Sequence, residues 1–141
     1  MPTADRVLIA QGSDALRRKL YSTLLQQNIF SDCASDGQTL FEYLTQRSYA
    51  VVLLDFSLPF AEPAGVLDRI RDLPKPERPV VIAMMGEDES QTIDLDVVQV
   101  ILRRPFNARH VAEIVESCLR AMSARSRRRG AETSDEARPE R

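Results

Sequence analysis

The stretch VVLLDFSLP, residues 51 to 59, decides the fold of this chain. Val51 to Leu54 run on without polar alternation, as a strand buried on both faces should. With Ala50 they form the clearest strand in the sequence, and it ends at Asp55. Pro59 and Pro63 then keep the chain irregular. A buried strand that stops on a carboxylate and leaves through proline suits a parallel sheet, in which side chains beyond the carboxyl ends of the strands face the ligand crevice.

Working outward, the same kind of run recurs. VLIA at 7 to 10 predicts a first strand, and Ser13 can cap a helix carrying Leu16, Leu20 and Leu24 on one face. Ile29 to Ala34 is a weaker strand, and Asp36 opens a second helix with Leu40, Phe41 and Leu44. A third helix holds Val66, Leu67 and Ile70 and ends before Pro74. Pro79 to Met84 predicts a fourth strand. Gly86 to Asp94 leaves room for only a short fourth helix, and Val97 to Leu102 predicts a fifth strand. Asn107 can cap a last helix in which Val111, Ile114, Val115, Cys118, Leu119 and Met122 form an apolar stripe. Five strands alternating with five helices predict an α/β fold: a five-stranded parallel sheet with helices on both faces and the fourth helix shortened.

Composition narrows the function. The chain has 141 residues, 43 % apolar and 28 % charged, which suits one globular domain. Lys plus Arg number 19 and Asp plus Glu 21, a balance that argues against nucleic acid as a partner. No apolar run spans a membrane and the first residues lack a signal-peptide layout, so a cytoplasmic protein is expected. Cys33 and Cys118 stand apart and read as buried thiols. One histidine, His110, leaves little for a zinc site or a serine–histidine triad. Neither GxGxxG nor GxxxxGK[ST] occurs, so a nucleotide site is unsupported.

The chain divides by composition into residues 1–122 and 123–141. The second part carries six Arg and four acidic residues and no large apolar side chain, which predicts a disordered charged tail. Within it Arg125, Arg127, Arg128 and Arg129 form a basic cluster that reads as a solvated helix end.

Residues 5 to 122 resemble the receiver domain of bacterial response regulators. The resemblance rests on ASDGQTLFEYL at 34 to 44, VVLLDFSLP at 51 to 59, RRPF at 103 to 106 and the order of elements. It implies a flavodoxin-like fold and a place in two-component signalling, and it makes Asp55 the equivalent of the aspartate that accepts a phosphoryl group from a histidine kinase. The remaining positions depart from the family pattern. The two acidic residues that hold Mg²⁺ are replaced by Gln11 and Gly12. The hydroxyl residue after the fourth strand becomes Met84 or Met85, its aromatic switch partner becomes Ile101, and the lysine before proline becomes Arg104.

These departures have a physical reading. Mg²⁺ prefers several hard oxygen ligands, and Gln11 and Gly12 supply no carboxylate. Methionine cannot donate a hydrogen bond to a phosphoryl oxygen. Asp55 and Arg104 sum to zero charge, so a self-neutralised Asp55–Arg104 ion pair is favoured, with no metal; the alternative is that Arg104 is a solvent-facing cation near the sheet edge. Asp14, two residues past Gly12, is expected in the first turn of the first helix rather than on a metal. Glu87, Asp88 and Glu89 read as a solvated acidic loop.

The expectation is therefore a stand-alone pseudo-receiver with no catalytic residue and no cofactor. It would act by protein–protein interaction with signalling proteins, a histidine kinase or another regulator among them, and is compatible with a homodimer. The alternative is an atypical phosphoacceptor that uses Mg²⁺ at Asp55 in a phosphorelay.

Overall fold

A computed structural model describes residues 6–59, 62–87 and 93–137, with side chains through residue 124 except that of residue 63. The element order is β1 (Val7–Ala10), α1 (Asp14–Gln26), β2 (Ser31–Ala34), α2 (Gly37–Gln46), β3 (Val51–Asp55), α3 (Pro63–Arg71), a 3₁₀ turn (Lys75–Glu77), β4 (Val80–Met85), β5 (Val98–Arg103) and α4 (Ala108–Ala137). All five strands are parallel, in the order β2-β1-β3-β4-β5. The doubly wound sheet expected from the strand pattern is the one observed.

The apolar runs explain the order. β1 and β3 are buried at every residue and β4 at all but its first, because helices cover both of their faces. The edge strands carry the weaker patterns: β2 is half-buried, and β5 alternates between covered and exposed residues. α1 and α4 pack Leu20, Leu24, Val111 and Val115 against Val7, Ile9, Leu53 and Ile82. On the other face, Leu40, Val66 and Ile70 of α2 and α3 cover Leu8, Val52 and Val81. Each fully buried leucine contributes about 1.5–3 kcal/mol through apolar burial.

The helix starts follow the predicted caps. Ser13 Oγ accepts from Leu16 N at 3.3 Å, Asp36 Oδ1 from Thr39 N at 2.9 Å, and Asn107 Oδ1 from His110 N at 3.0 Å. Asp14 stands in the first turn of α1, paired with Arg17, whose hydrogen bond and charge lower its carboxyl pKa.

Of two expectations, the first, a short fourth helix within residues 86–94, falls largely outside the described residues. Among the described residues no helix lies between β4 and β5; residues 88–92, with Asp88 and Glu89 of the acidic run, lie outside them. The described part of that connection is organised by Asp94, whose carbonyl accepts from Val97 N and Val98 N and whose carboxylate accepts from Asp96 N. The second concerns the stretch from residue 123. α4 continues through Ala137 and covers 30 residues, so the backbone of residues 123–137 is helical, while residues 138–141 of the expected tail lie outside the described residues. Arg, Ala and Glu are good helix formers, and extending a helix nucleated by packing costs far less than starting one. The side chains of Arg125 to Arg129 lie outside the described set.

Candidate functional site

In this strand order the sheet reverses direction of winding between β1 and β3, and the crevice at their carboxyl ends is the expected ligand position. Asp55 ends β3 there. Ala10 pairs with Leu54, so Gln11 and Gly12 leave β1 beside it, and Met84 of β4 pairs with Asp55 on the other side. The structure thus brings Gln11, Gly12, Asp55 and Met84 together.

Asp55 is buried, with 4 % of its surface exposed. Its Oδ1 accepts from both Ser57 N and Ser57 Oγ at 2.9 Å. Its Oδ2 accepts from Gly12 N at 3.4 Å, a long contact. The carboxylate is therefore held by neutral donors from two loops. Ser57 was not among the residues singled out in the sequence. Its signal is local: an Asp whose side chain takes the backbone N–H two residues on makes an Asx-turn, and the hydroxyl at that second residue adds another donor.

Gln11 is 1 % exposed. Its Oε1 accepts from Ser13 N at 3.1 Å, which fixes the orientation of the amide. Its Nε2 has no partner among the described residues. Its carbonyl accepts from Arg17 at 2.9 Å, which ties α1 back to the end of β1. Gly12 faces Pro59: a Cβ on Gly12 would stand 3.0 Å from Pro59 Cδ and 3.9 Å from Asp55 Oδ2.

Met84 and Met85 are both fully buried, on opposite faces of the sheet. Met84 shares the register of Asp55, and Met85 follows it at the end of β4. Ile101 pairs with Ala83 on the edge strand and is 37 % exposed.

The expected Asp55–Arg104 ion pair is not formed. Arg104 is exposed, and its guanidinium lies 5.4 Å from the centre of the Phe106 ring. Both acceptor oxygens of Asp55 are already engaged, and taking a guanidinium into that buried crevice would cost desolvation that the rim position avoids. Charge counting paired two groups that the fold keeps apart.

The donor set does not match a Mg²⁺ site. Gln11 offers one neutral oxygen, already bonded to Ser13 N, and Gly12 offers none. Among the described residues no cluster of three or more His, Cys, Asp or Glu side chains is placed to hold a metal. Cys33 and Cys118 are half-buried free thiols, both raised in pKa by burial, and His110 is exposed on α4.

A five-stranded parallel sheet of this order with an aspartate closing β3 has the CheY-like response-regulator receiver fold. Solved structures agree. A CheY-like receiver domain from Methylobacillus flagellatus aligns with a TM-score of 0.67 at 20 % identity, covering 82 % of this chain and 98 % of that one. Another from Methanospirillum hungatei JF-1 aligns at 0.72 with 16 % identity, covering 86 % and 98 %. By sequence, the chain is 26 % identical over 119 residues to the transcriptional regulatory protein SrrA of Staphylococcus aureus. That match takes in 83 % of this chain and 48 % of SrrA, so the chain spans about half the length of the curated relatives it matches. No protein-family model matches the chain. No helix among the described residues is long and apolar enough to cross a membrane.

Proposed function

We propose that this receiver-fold domain is a two-component signalling module that works through protein–protein contacts, without Mg²⁺-dependent phosphorylation of Asp55. One observation carries the reading: the Asp55 carboxylate is occupied by Ser57 and the Gly12 N–H, and the adjoining positions supply an amide, a glycine and two buried methionines. Phosphoryl transfer depends on charge neutralisation and on donors aimed at the transferred group. Neither a carboxylate pair nor a hydroxyl on β4 is present to provide them. The partners are signalling proteins that recognise the folded surface, such as a kinase or a second regulator, and the domain is not itself an enzyme.

The retained aspartate at the end of β3 favours one other reading, an atypical phosphoacceptor. Incubation with acetyl phosphate and Mg²⁺, followed by intact-mass measurement, separates the two. The proposed function predicts only trace phosphorylation, unchanged when Mg²⁺ is withheld. Stoichiometric, Mg²⁺-dependent addition that disappears in Asp55→Asn would establish the phosphoacceptor instead.

A further inference from the structure

We infer that the crevice around Asp55 is closed by a latch, the Pro59 ring seated on Gly12, and that this contact does the work of holding the two loops together that a metal would do elsewhere. The inference deepens the proposed function, because it names what occupies the place of the missing acidic side chain.

The geometry is specific. The position a Cβ on residue 12 would take is closely approached by proline: Pro59 Cδ lies 3.0 Å and Cγ 3.6 Å from it. That distance is tighter than ordinary van der Waals contact, so a Cβ on residue 12 would require Pro59 to give by a few tenths of an ångström, and glycine accommodates the ring without that shift. The ring has less freedom to swing aside than an open side chain, since it is closed onto its own backbone nitrogen and can only change pucker. Its carbonyl is fixed as well, accepting from Gly37 N at 2.8 Å at the start of α2. From the other side, the Gly12 N–H donates to Asp55 Oδ2. Gly12 therefore faces the Pro59 ring on the side where a Cβ would stand and meets Asp55 through its amide. The β1–α1 loop, the β3–α3 loop and the carboxylate are joined in one contact, with Asp55 4 % exposed beneath it.

A Gly12→Ala substitution places a methyl against the ring and should push the loops apart by a few tenths of an ångström. Pro59→Ala removes the ring without adding bulk to residue 12, so it opens the crevice by the opposite route. The probe is a water-soluble carbodiimide with glycine ethyl ester, which amidates accessible carboxyl groups, and the readout is peptide mass spectrometry. In the unmodified protein Asp55 should label far more slowly than Asp68, whose side chain is 67 % exposed and serves as internal control. In both variants Asp55 labelling should rise roughly tenfold through local opening, with Asp68 unchanged. Equal Asp55 labelling in all three proteins, or Asp55 labelling as fast as Asp68 without any substitution, would overturn the latch. If one variant does not fold, the other gives the same comparison. This outcome is independent of the acetyl phosphate experiment: a crevice that opens freely yet takes no phosphoryl group refutes the latch alone.

Discussion

Replacing Asp55 with alanine separates a carboxylate that holds loops from one that repels its neighbours. In Asp55→Ala the loss falls on three hydrogen bonds: two at 2.9 Å from Ser57 and one at 3.4 Å from the Gly12 N–H. A net hydrogen bond to a charged group contributes about 1.5–3 kcal/mol, but Ser57 is exposed and its donors return to water. The Gly12 contact is long and weak. The carboxylate also recovers its own desolvation cost when removed. These effects leave an expected destabilisation of about 1–3 kcal/mol, measured by urea unfolding at pH 7. Ser57→Ala removes the hydroxyl but keeps the amide, and should cost about 0.5–1 kcal/mol. The double variant should lose less than the two single losses combined, with a coupling of about 0.5–1 kcal/mol. The same cycle with Arg104→Ala should show coupling within about 0.3 kcal/mol of zero, because Arg104 rests on Phe106 instead. If Asp55→Ala stabilises the protein, or couples to Arg104 by more than about 1 kcal/mol, the hydrogen-bonded site is refuted.

Two further predictions concern the scaffold. Asp32 on β2 accepts from Tyr49 Oη at 2.7 Å and Arg47 at 2.8 Å, with Arg6 at 3.4 Å. Burial alone would raise its pKa, but the Tyr49 and Arg47 hydrogen bonds and the charges of Arg47 and Arg6 outweigh it, so the folded value is lowered. The resulting stability is present above the unfolded value near 4 and is lost as pH falls through the folded one, so urea midpoints should drop more steeply between pH 5 and 2.5 in the unmodified protein than in Asp32→Asn. Identical acid slopes would remove Asp32 as the cause. Arg71 pairs with Asp94 and so joins α3 to the turn before β5. In Arg71→Ala, hydrogen exchange at the Val97 and Val98 amides should quicken several-fold while β3 stays protected; unchanged exchange would make that pair incidental.

What was legible in the sequence follows from which physical terms a sequence records. β1, β3 and β4 are buried on both faces, and two-sided burial leaves an unbroken apolar run that needs no structure to be seen. Ser13, Asp36 and Asn107 cap helices through their own side chains, so they too were visible. For the stretch after residue 122, composition reports whether a segment can bury apolar surface, whereas the helical backbone of residues 123–137 needs only favourable propensity and an existing nucleus. The favoured Asp55–Arg104 pair is absent, and Arg104 takes the alternative solvent-facing place, for a related reason. Charge is a scalar that can be added along a chain, but pairing depends on direction and on desolvation, and Arg104 leaves β5 towards Phe106 and solvent. Counting only charged groups also passed over Ser57, whose neutral donors satisfy the carboxylate without any cation. Gly12 shows the limit most directly. In the sequence it is a position where a ligand atom is lacking. In the fold the same lack of Cβ admits the Pro59 ring, so the residue that disqualifies the site for Mg²⁺ is also the one that allows the loops to close over Asp55. Restoring an acid at residue 12 would therefore have to shift the Pro59 ring at Cβ as well as supply a charge at the carboxylate oxygens, and the two effects oppose each other within one side chain.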